Sequence, residues 1–359
     1  MKRFTFLTMA VTFVFAAIIM VSCTKEGPAG ATGPKGPQGP AGEDGINGTD
    51  GTAGCIECHD GGTTQGMFAI TVQWEESVHS QGPNINRNYS ECATCHTSQG
   101  YRENLETMAN SANVANPNPV NCYTCHNIHE TYTPADLGLT KSDALVTKMN
   151  GATIDFGKSN ACVYCHQGRS VGDLEIDGDP ITPTNQYWSA HYAPQANLLY
   201  GVGGGAFEFP GDATYGTSPH MNIVEEGCIT CHMAKVTGPI GNMAGGHTMK
   251  MNYDRYGSPA LNDAGCTSCH SDAAELKTKM TDLKTEVETL MAELEALLVA
   301  EGLILAGDDN IIVQEWPANL AAAFVNWKLV LKDHSYGVHN PTYIKALLEN
   351  TIDAIKPAP

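Results

Sequence analysis

Positive charge is what this chain has least of. Across 359 residues, 20 Lys and Arg stand against 39 Asp and Glu, a formal net charge of −19. Phosphate backbones repel such a surface, which excludes nucleic acid as a partner; basic proteins or charged mediators suit it better. Long apolar runs are also scarce. One stands out, from Phe4 to Val21, directly behind Lys2 and Arg3. At eighteen residues with three threonines it is marginal for a permanent membrane span. Its charged start and apolar middle fit an export signal instead. A third absence is a spare thiol: of 13 cysteines, every one after Cys23 belongs to a closely spaced pair.

The apolar run ends at Met20-Val21-Ser22-Cys23, which resembles the lipobox of bacterial lipoproteins. There the cysteine becomes the acylated N-terminus, so residues 1–23 are expected to be a signal peptide that ends in a lipid anchor on Cys23. Residues 24–54 follow as a stalk. Glycine occupies every third position from Gly27 to Gly54, with Pro28, Pro34, Pro37 and Pro40 next to glycines. Only glycine fits the crowded axis of three wound chains, so the period reads as collagen-like; a flexible Gly/Pro linker is the plainer alternative.

The paired cysteines then repeat one motif six times, C-x-x-C-H. The copies are Cys55/Cys58/His59, Cys92/Cys95/His96, Cys122/Cys125/His126, Cys162/Cys165/His166, Cys228/Cys231/His232 and Cys266/Cys269/His270. Two cysteines three apart both reach the vinyl groups of one porphyrin, and the next residue turns its imidazole to the iron. This is the signature of covalent haem c attachment. Zinc ribbons and disulfide frameworks leave the six histidines unexplained, and thioredoxin-like motifs occur singly beside a βαβ pattern that is absent here. Six covalently bound haems are therefore expected, with no disulfides. Residues 55–270 form the hexahaem domain and 271–359 a C-terminal helical region that contributes a haem ligand. Stretches such as "VANPNPVN" and "QGPNINRNYS" read as loops between short helices. The expected fold is mainly α with extensive loops, packed around haem, with a C-terminal long-helix hairpin and little or no sheet.

A haem iron has a second axial face. Filled by histidine, it passes electrons only; open, it binds and reduces small molecules. Thirteen histidines less six in motifs leave seven: His79, His129, His191, His220, His247, His334 and His339. We expect His79, His129, His191, His220, His247 and His339 as distal ligands and His334 as the spare. Met221, Met233 and Met249 are alternative donors. Which histidine serves which iron is not legible at this level.

After His270 the pattern turns helical. Leu276, Met280, Leu283, Val287, Leu290, Leu294 and Leu297 recur at alternating spacings of four and three, with Asp272 and Glu275 as a capping box and Gly302 as the stop. A second helix is expected from Pro317, carrying Phe324, Trp327 and Leu331, and a third from Asn340-Pro341 to just before Pro357. The apolar seam serves an intramolecular hairpin or a dimer; the hairpin is favoured.

The stretches "SPHMNIVEEGCITCHMAK", "GCTSCH" and "DHSYGVHNPTYIKALL" resemble the C-terminal half of pentahaem cytochrome c nitrite reductases, over residues 218–355. That superfamily includes hydroxylamine-oxidising and octahaem cytochromes. The resemblance implies a helix-rich, haem-packed fold, often dimerised through long C-terminal helices, and a haem-ligand role for His339. The chain departs from it in having no C-x-x-C-K, the motif that carries the catalytic haem in ammonia-forming members.

The expected function is electron carriage by bis-histidine haems at the cell envelope, toward an outer-surface or extracellular acceptor, with other redox proteins as partners and the membrane reached through the lipid anchor. No catalytic residue is assigned. Two other readings are a reductase of nitrite, hydroxylamine or a similar small oxyanion, and the subunit of a haem filament. A homo-oligomer through the stalk or the C-terminal helices is a further expectation.

Overall fold

In a computed structural model, the described residues are His59 and 66–357, without 106, 110–111, 224–225, 237–240 and 242. All belong to the second of two units, Gly51–Pro359. The expected export signal, the lipid anchor at Cys23, the glycine repeat and the attachment cysteines Cys55 and Cys58 lie outside the described residues. Among the described residues no helix is long and apolar enough to cross a membrane.

Short helices joined by long loops make up the part before residue 270. Helix α1 spans Met67–Glu75, α2 Ser90–His96, α3 Ser98–Glu103 and α4 Cys122–Cys125. A two-stranded antiparallel sheet of β1 (Leu145–Val146) and β2 (Thr153–Ile154) precedes α5 (Asn160–Val163), α6 (Gln195–Tyr200), α7 (Pro219–Ile223) and α8 (Cys228–His232). A second hairpin pairs β3 (Asn252–Arg255) with β4 (Ser258–Leu261). Its turn residues Tyr256 and Gly257 both have positive φ, 55° and 86°, as a tight two-residue hairpin requires. The fold is thus mainly helical and loop-rich, with only these two small sheets among the described residues.

Four of the haem motifs sit on or at the end of a helical turn: α2, α4, α5 and α8. Residues three apart lie on one face of a helix, so the turn holds both cysteines of a motif on the same side. α4 opens with a capping box between Asn121 and Thr124. The sixth motif is a bare turn, closed by the Cys269 and His270 amides donating to Cys266 O at 3.1 and 2.8 Å. None of the ten described cysteines is in a disulfide.

The C-terminal part has three long helices: α9 (Ala273–Ala300), α10 (Ala318–Asp333) and α11 (Pro341–Ile355). Their ends follow from local chemistry. Asp272 caps α9 by accepting from the Ala274 and Glu275 amides. Gly302, at φ 80°, is the left-handed residue past its end. Asn340 caps α11 by accepting from the Tyr343 amide, with Pro341 in the first turn. α10 is buried over most of its surface, from Ala321 to Val330, as expected of a helix apolar on nearly every side.

The expected hairpin is a three-helix arrangement, because α10 lies against both α9 and α11. The seam of α9 closes inside the chain: Val287, Leu294 and Leu298 join Phe324, Leu329, Ile344 and Leu348 in one apolar core. Leu174, Leu198 and Phe209 belong to the same core, so residues before and after 270 fold together. A smaller core gathers Tyr101, Ile154, Val163 and Tyr164, the two tyrosine rings 4.3 Å apart.

Candidate metal centres

Five motif histidines each face one non-motif histidine across a nearly constant gap. The ring centres of His59 and His129 lie 6.3 Å apart, those of His166 and His79 6.1 Å, and those of His96 and His191 6.3 Å. His126 and His247 are 6.2 Å apart, and His232 and His339 6.3 Å. The gap is too wide for ring stacking or a direct hydrogen bond. An imidazole nitrogen binds a first-row metal at roughly 2.0–2.1 Å, and the ring centre lies ~1.1 Å behind it, so two rings on opposite faces of one iron have centres roughly 6.3 Å apart. The residues therefore fit a haem iron between each pair. They do not fit zinc, whose ligands converge on one point; no cluster of three or more His, Cys, Asp or Glu of that kind occurs among the described residues.

The outer nitrogens of several rings are held. Nδ1 of His126 donates to Leu137 O at 2.7 Å and that of His232 to Met249 O at 3.0 Å. His166 Nδ1 lies 3.2 Å from Gln195 Oε1, and His339 Nδ1 lies 2.6 Å from Asp333 Oδ1. Bonds of this kind leave Nε2 free to point at the iron and set the ring's orientation. Gln195 is itself anchored, since its amide group donates to Lys332 O and Asp333 O at the end of α10. Loop histidines are placed likewise. The His247 amide donates to Gln73 Oε1 on α1 at 3.0 Å. Gly245 beside it has φ 64° and lies so near Ala234 O that a Cβ would come within 1.9 Å, which leaves glycine as the residue that fits.

Metal binding needs neutral imidazole. Burial pushes His79 down to about 4, with help from His166, and His191 down to about 4, with help from Arg169, His96 and Arg87. Burial also lowers His96, His166, His232 and His247. For His339 burial pulls the same way, but the Asp333 carboxylate outweighs it and holds the ring above its ordinary value.

Contacts between motifs show which centres adjoin. The side chains of Cys95 and Cys165 touch, joining the second motif to the fourth. Those of Cys162 and Cys228 touch, joining the fourth to the fifth. Gly265 packs so closely on Thr230 O that a Cβ would stand 2.5 Å away, which joins the fifth to the sixth. His129 follows His126 by three residues, so the first pair adjoins the third. Beside the second motif, Lys148 and Arg169 line an open pocket of about 420 Å³ with Ser90, Glu91 and Met108. Two cations there match the carboxylates that a haem carries.

Three histidines stay outside the pairs. His220, expected as a distal ligand, is not brought against a motif histidine; its Nδ1 donates to Val338 O at 3.2 Å. His334 is exposed at the end of α10. His270, the sixth motif histidine, has no histidine ring facing it among the described residues. Sequence reasoning missed Asp333, Gln195, Gln73, Lys148 and Arg169. Only Asp333 left a signal, lying six residues before His339.

The family model described as cytochrome c552 matches residues 207–359. This agrees with the resemblance of the C-terminal region to nitrite-reductase-type multihaem cytochromes, and haem c is the cofactor that the motifs and the family share. No curated protein matches the chain. A solved structure, that of the outer cell wall cytochrome OcwA, is 20% identical over 79% of this chain, with a TM-score of 0.48. The match covers 50% of that structure's chain, so this chain spans about half its length.

Proposed function

We propose that this chain is a hexahaem c-type cytochrome that carries electrons by bis-histidine haems at the cell envelope. The observation that carries the reading is the set of five imidazole pairs with ring centres 6.1–6.3 Å apart. Haem c supplies a one-electron iron couple whose potential the ligands and their surroundings set. The protein does the rest. Paired imidazoles close both axial faces, so substrate has no entry at those five sites. Asp333, Gln195 and the Leu137 and Met249 carbonyls hold the rings in one orientation, which keeps reorganisation small when charge changes. Contacts at Cys95–Cys165 and Cys162–Cys228 make the fourth motif a junction between the second and fifth, and the chain of neighbours runs on to the sixth.

The direction of travel follows from the first and sixth motifs, joined through the third and fourth, where Cys125 lies within electrostatic reach of Cys162 and Cys165. The first motif directly follows the glycine repeat, which we read as a spacer behind a lipid anchor at Cys23. The sixth motif is at the surface. Electrons then enter from envelope redox proteins and leave toward an outer-surface or extracellular acceptor. The test is stopped-flow redox cycling of the purified holoprotein. Full reduction and rapid reoxidation by a soluble ferric chelate is the expected result; a protein that is reduced but passes nothing on overturns the reading.

A reductase reading draws support from the family match over residues 207–359. Against it stands the lack of any C-x-x-C-K. Turnover of nitrite or hydroxylamine with reduced viologen separates the two.

A further inference from the structure

We infer that Asp136 is a positioning residue for two haem ligands at once. Its loop, residues 131–139, holds His129 of the first centre and His126 of the third, and so fixes how those two centres stand to each other. The inference rests on the reading of the motifs as haem sites and concerns what keeps two of their ligands in register.

His126 and His129 are three residues apart, yet they belong to different pairs, facing His247 and His59. Residues 127–133 lie in no helix or strand, so no backbone ladder fixes them. His129 and Tyr132 both have positive φ, 63° and 58°. Residues with a Cβ adopt that conformation rarely, and neighbours must hold it. Asp136 does so from a single turn, Pro134–Leu137. Its Oδ1 accepts from the Thr131 amide at 2.8 Å and from the Thr131 hydroxyl at 2.5 Å, and its Oδ2 accepts from the Tyr132 amide at 2.9 Å. The Thr131 hydroxyl, ahead of the Thr131, Tyr132 and His129 amides, keeps the carboxyl below the ordinary range against the effect of burial. The Tyr132 ring in turn stacks on that of His129, with 5.7 Å between centres and 12° between planes.

The residues that follow serve the other ligand. Leu137 O accepts from His126 Nδ1, Gly138 O accepts from the Asn127 amide at 3.0 Å, and the Thr140 amide donates to Cys125 O at 2.9 Å. Outside the loop, Arg102 of α3 donates to Asn127 Oδ1 at 2.9 Å and to Glu130 Oε1 at 3.0 Å. Its guanidinium lies 4.5 Å over the ring of Tyr123, inside the third motif. One short loop therefore carries the restraints on the ligands of two irons, and a shift at Asp136 reaches both rings. In the proposed reading electrons pass from the first centre to the third, so this loop sets the geometry of the entry step. A carboxylate is the group the loop needs, because it only accepts. An amide of the same shape turns one acceptor into a donor, aimed at a backbone N–H.

The experiment uses the full-length holoprotein, read by ferric EPR and spectropotentiometric titration. His129→Ala and His247→Ala are each expected to convert one low-spin haem to high spin, which identifies the signals of the first and third centres. If either conversion fails, the pairing itself is refuted and this inference falls with it. Asp136→Asn is then expected to shift and broaden those two low-spin signals, with the others in place and haem content unchanged. Loss of a nearby charge should raise the reduced-to-oxidised ratio of the first haem at the wild-type midpoint by roughly threefold. Asp136→Glu keeps the charge on a longer stem, so it should restore the potential and not the sharp signals. Thr131→Val removes one donor from an exposed position and should give the same EPR change to a smaller degree; it stands in if Asp136→Asn does not mature. Unchanged signals in the variant tested overturn the inference. So does a change confined to one haem, or one spread evenly over all the haems, which marks a general loss of fold.

Discussion

The carboxylate of Asp333 lies 2.6 Å from Nδ1 of His339, whose ring centre is 6.3 Å from that of His232. Asp333 is almost fully buried and also accepts from the Ser335 hydroxyl, so its charge is held in place. A carboxylate behind a ligating imidazole raises the basicity of the ring and favours the more positive metal state. Replacement by asparagine keeps the shape and removes the charge. With metal-ligand second shells worth about 10–100-fold in affinity, the haem of the fifth motif should rise by roughly 60–120 mV in Asp333→Asn. Spectropotentiometric titration measures it; an unchanged titration curve counts against the role.

His79 is the one facing histidine that precedes its motif partner in the chain, His166. His79→Ala should convert one haem to high spin and leave the others unaltered. EPR spin quantitation reads this directly, and exogenous imidazole should restore the low-spin signal. The fourth motif is the junction of the chain of contacts, so the same variant should slow reoxidation of the whole protein.

Asn326 ties a loop to the C-terminal helices. Its Oδ1 accepts from the Phe207 amide at 2.9 Å, and its Nδ2 donates to Phe207 O at 2.7 Å and Thr351 Oγ1 at 3.0 Å. Asn326→Leu leaves two partly buried backbone groups of Phe207 without partners. The expected loss is roughly 2–5 kcal/mol, seen as a lower denaturation midpoint of the holoprotein with unchanged haem content.

Asp309 bridges Lys332 and Lys328 at 2.6 and 3.0 Å. The hydrogen bond from Lys332, then that from Lys328, hold its carboxyl below the ordinary range despite partial burial. A depressed folded pKa contributes stability that is complete above the unfolded value of about 4 and lost as pH falls through the folded one. Wild type should therefore exceed Asp309→Asn in thermal midpoint at pH 6, and the gap should close below about pH 4. A gap independent of pH contradicts the pairing.

Membrane attachment depends on a single side chain in our reading. Cys23→Ala should shift the protein from the membrane fraction to the soluble fraction, with haem loading unchanged. Fractionation with haem staining decides it.

Much of this molecule was legible before any tertiary structure. The six attachment motifs were readable because thioether spacing is a property of five consecutive residues. Helices α9 and α11 were readable with their ends, because Asp272, Gly302, Asn340 and Pro341 act on their immediate neighbours. The partnership of α10 with both of the other helices was not, since its burial comes from what packs around it and not from its own pattern. Asp333, Gln195 and Gln73 were invisible for a related reason: polar residues are common, and only the fold shows which one stands behind an imidazole.

The sequence by itself determined the kind of chemistry, haem c, and where its attachment motifs lie, because each motif is local. Only the tertiary structure decided the pairing. Partners lie from 70 residues apart, for His59 and His129, to 121 apart, for His126 and His247, and one pair runs backwards along the chain. Loops of such length close in many ways at little entropic difference, so the choice rests with packing around the attachment sites and not with spacing.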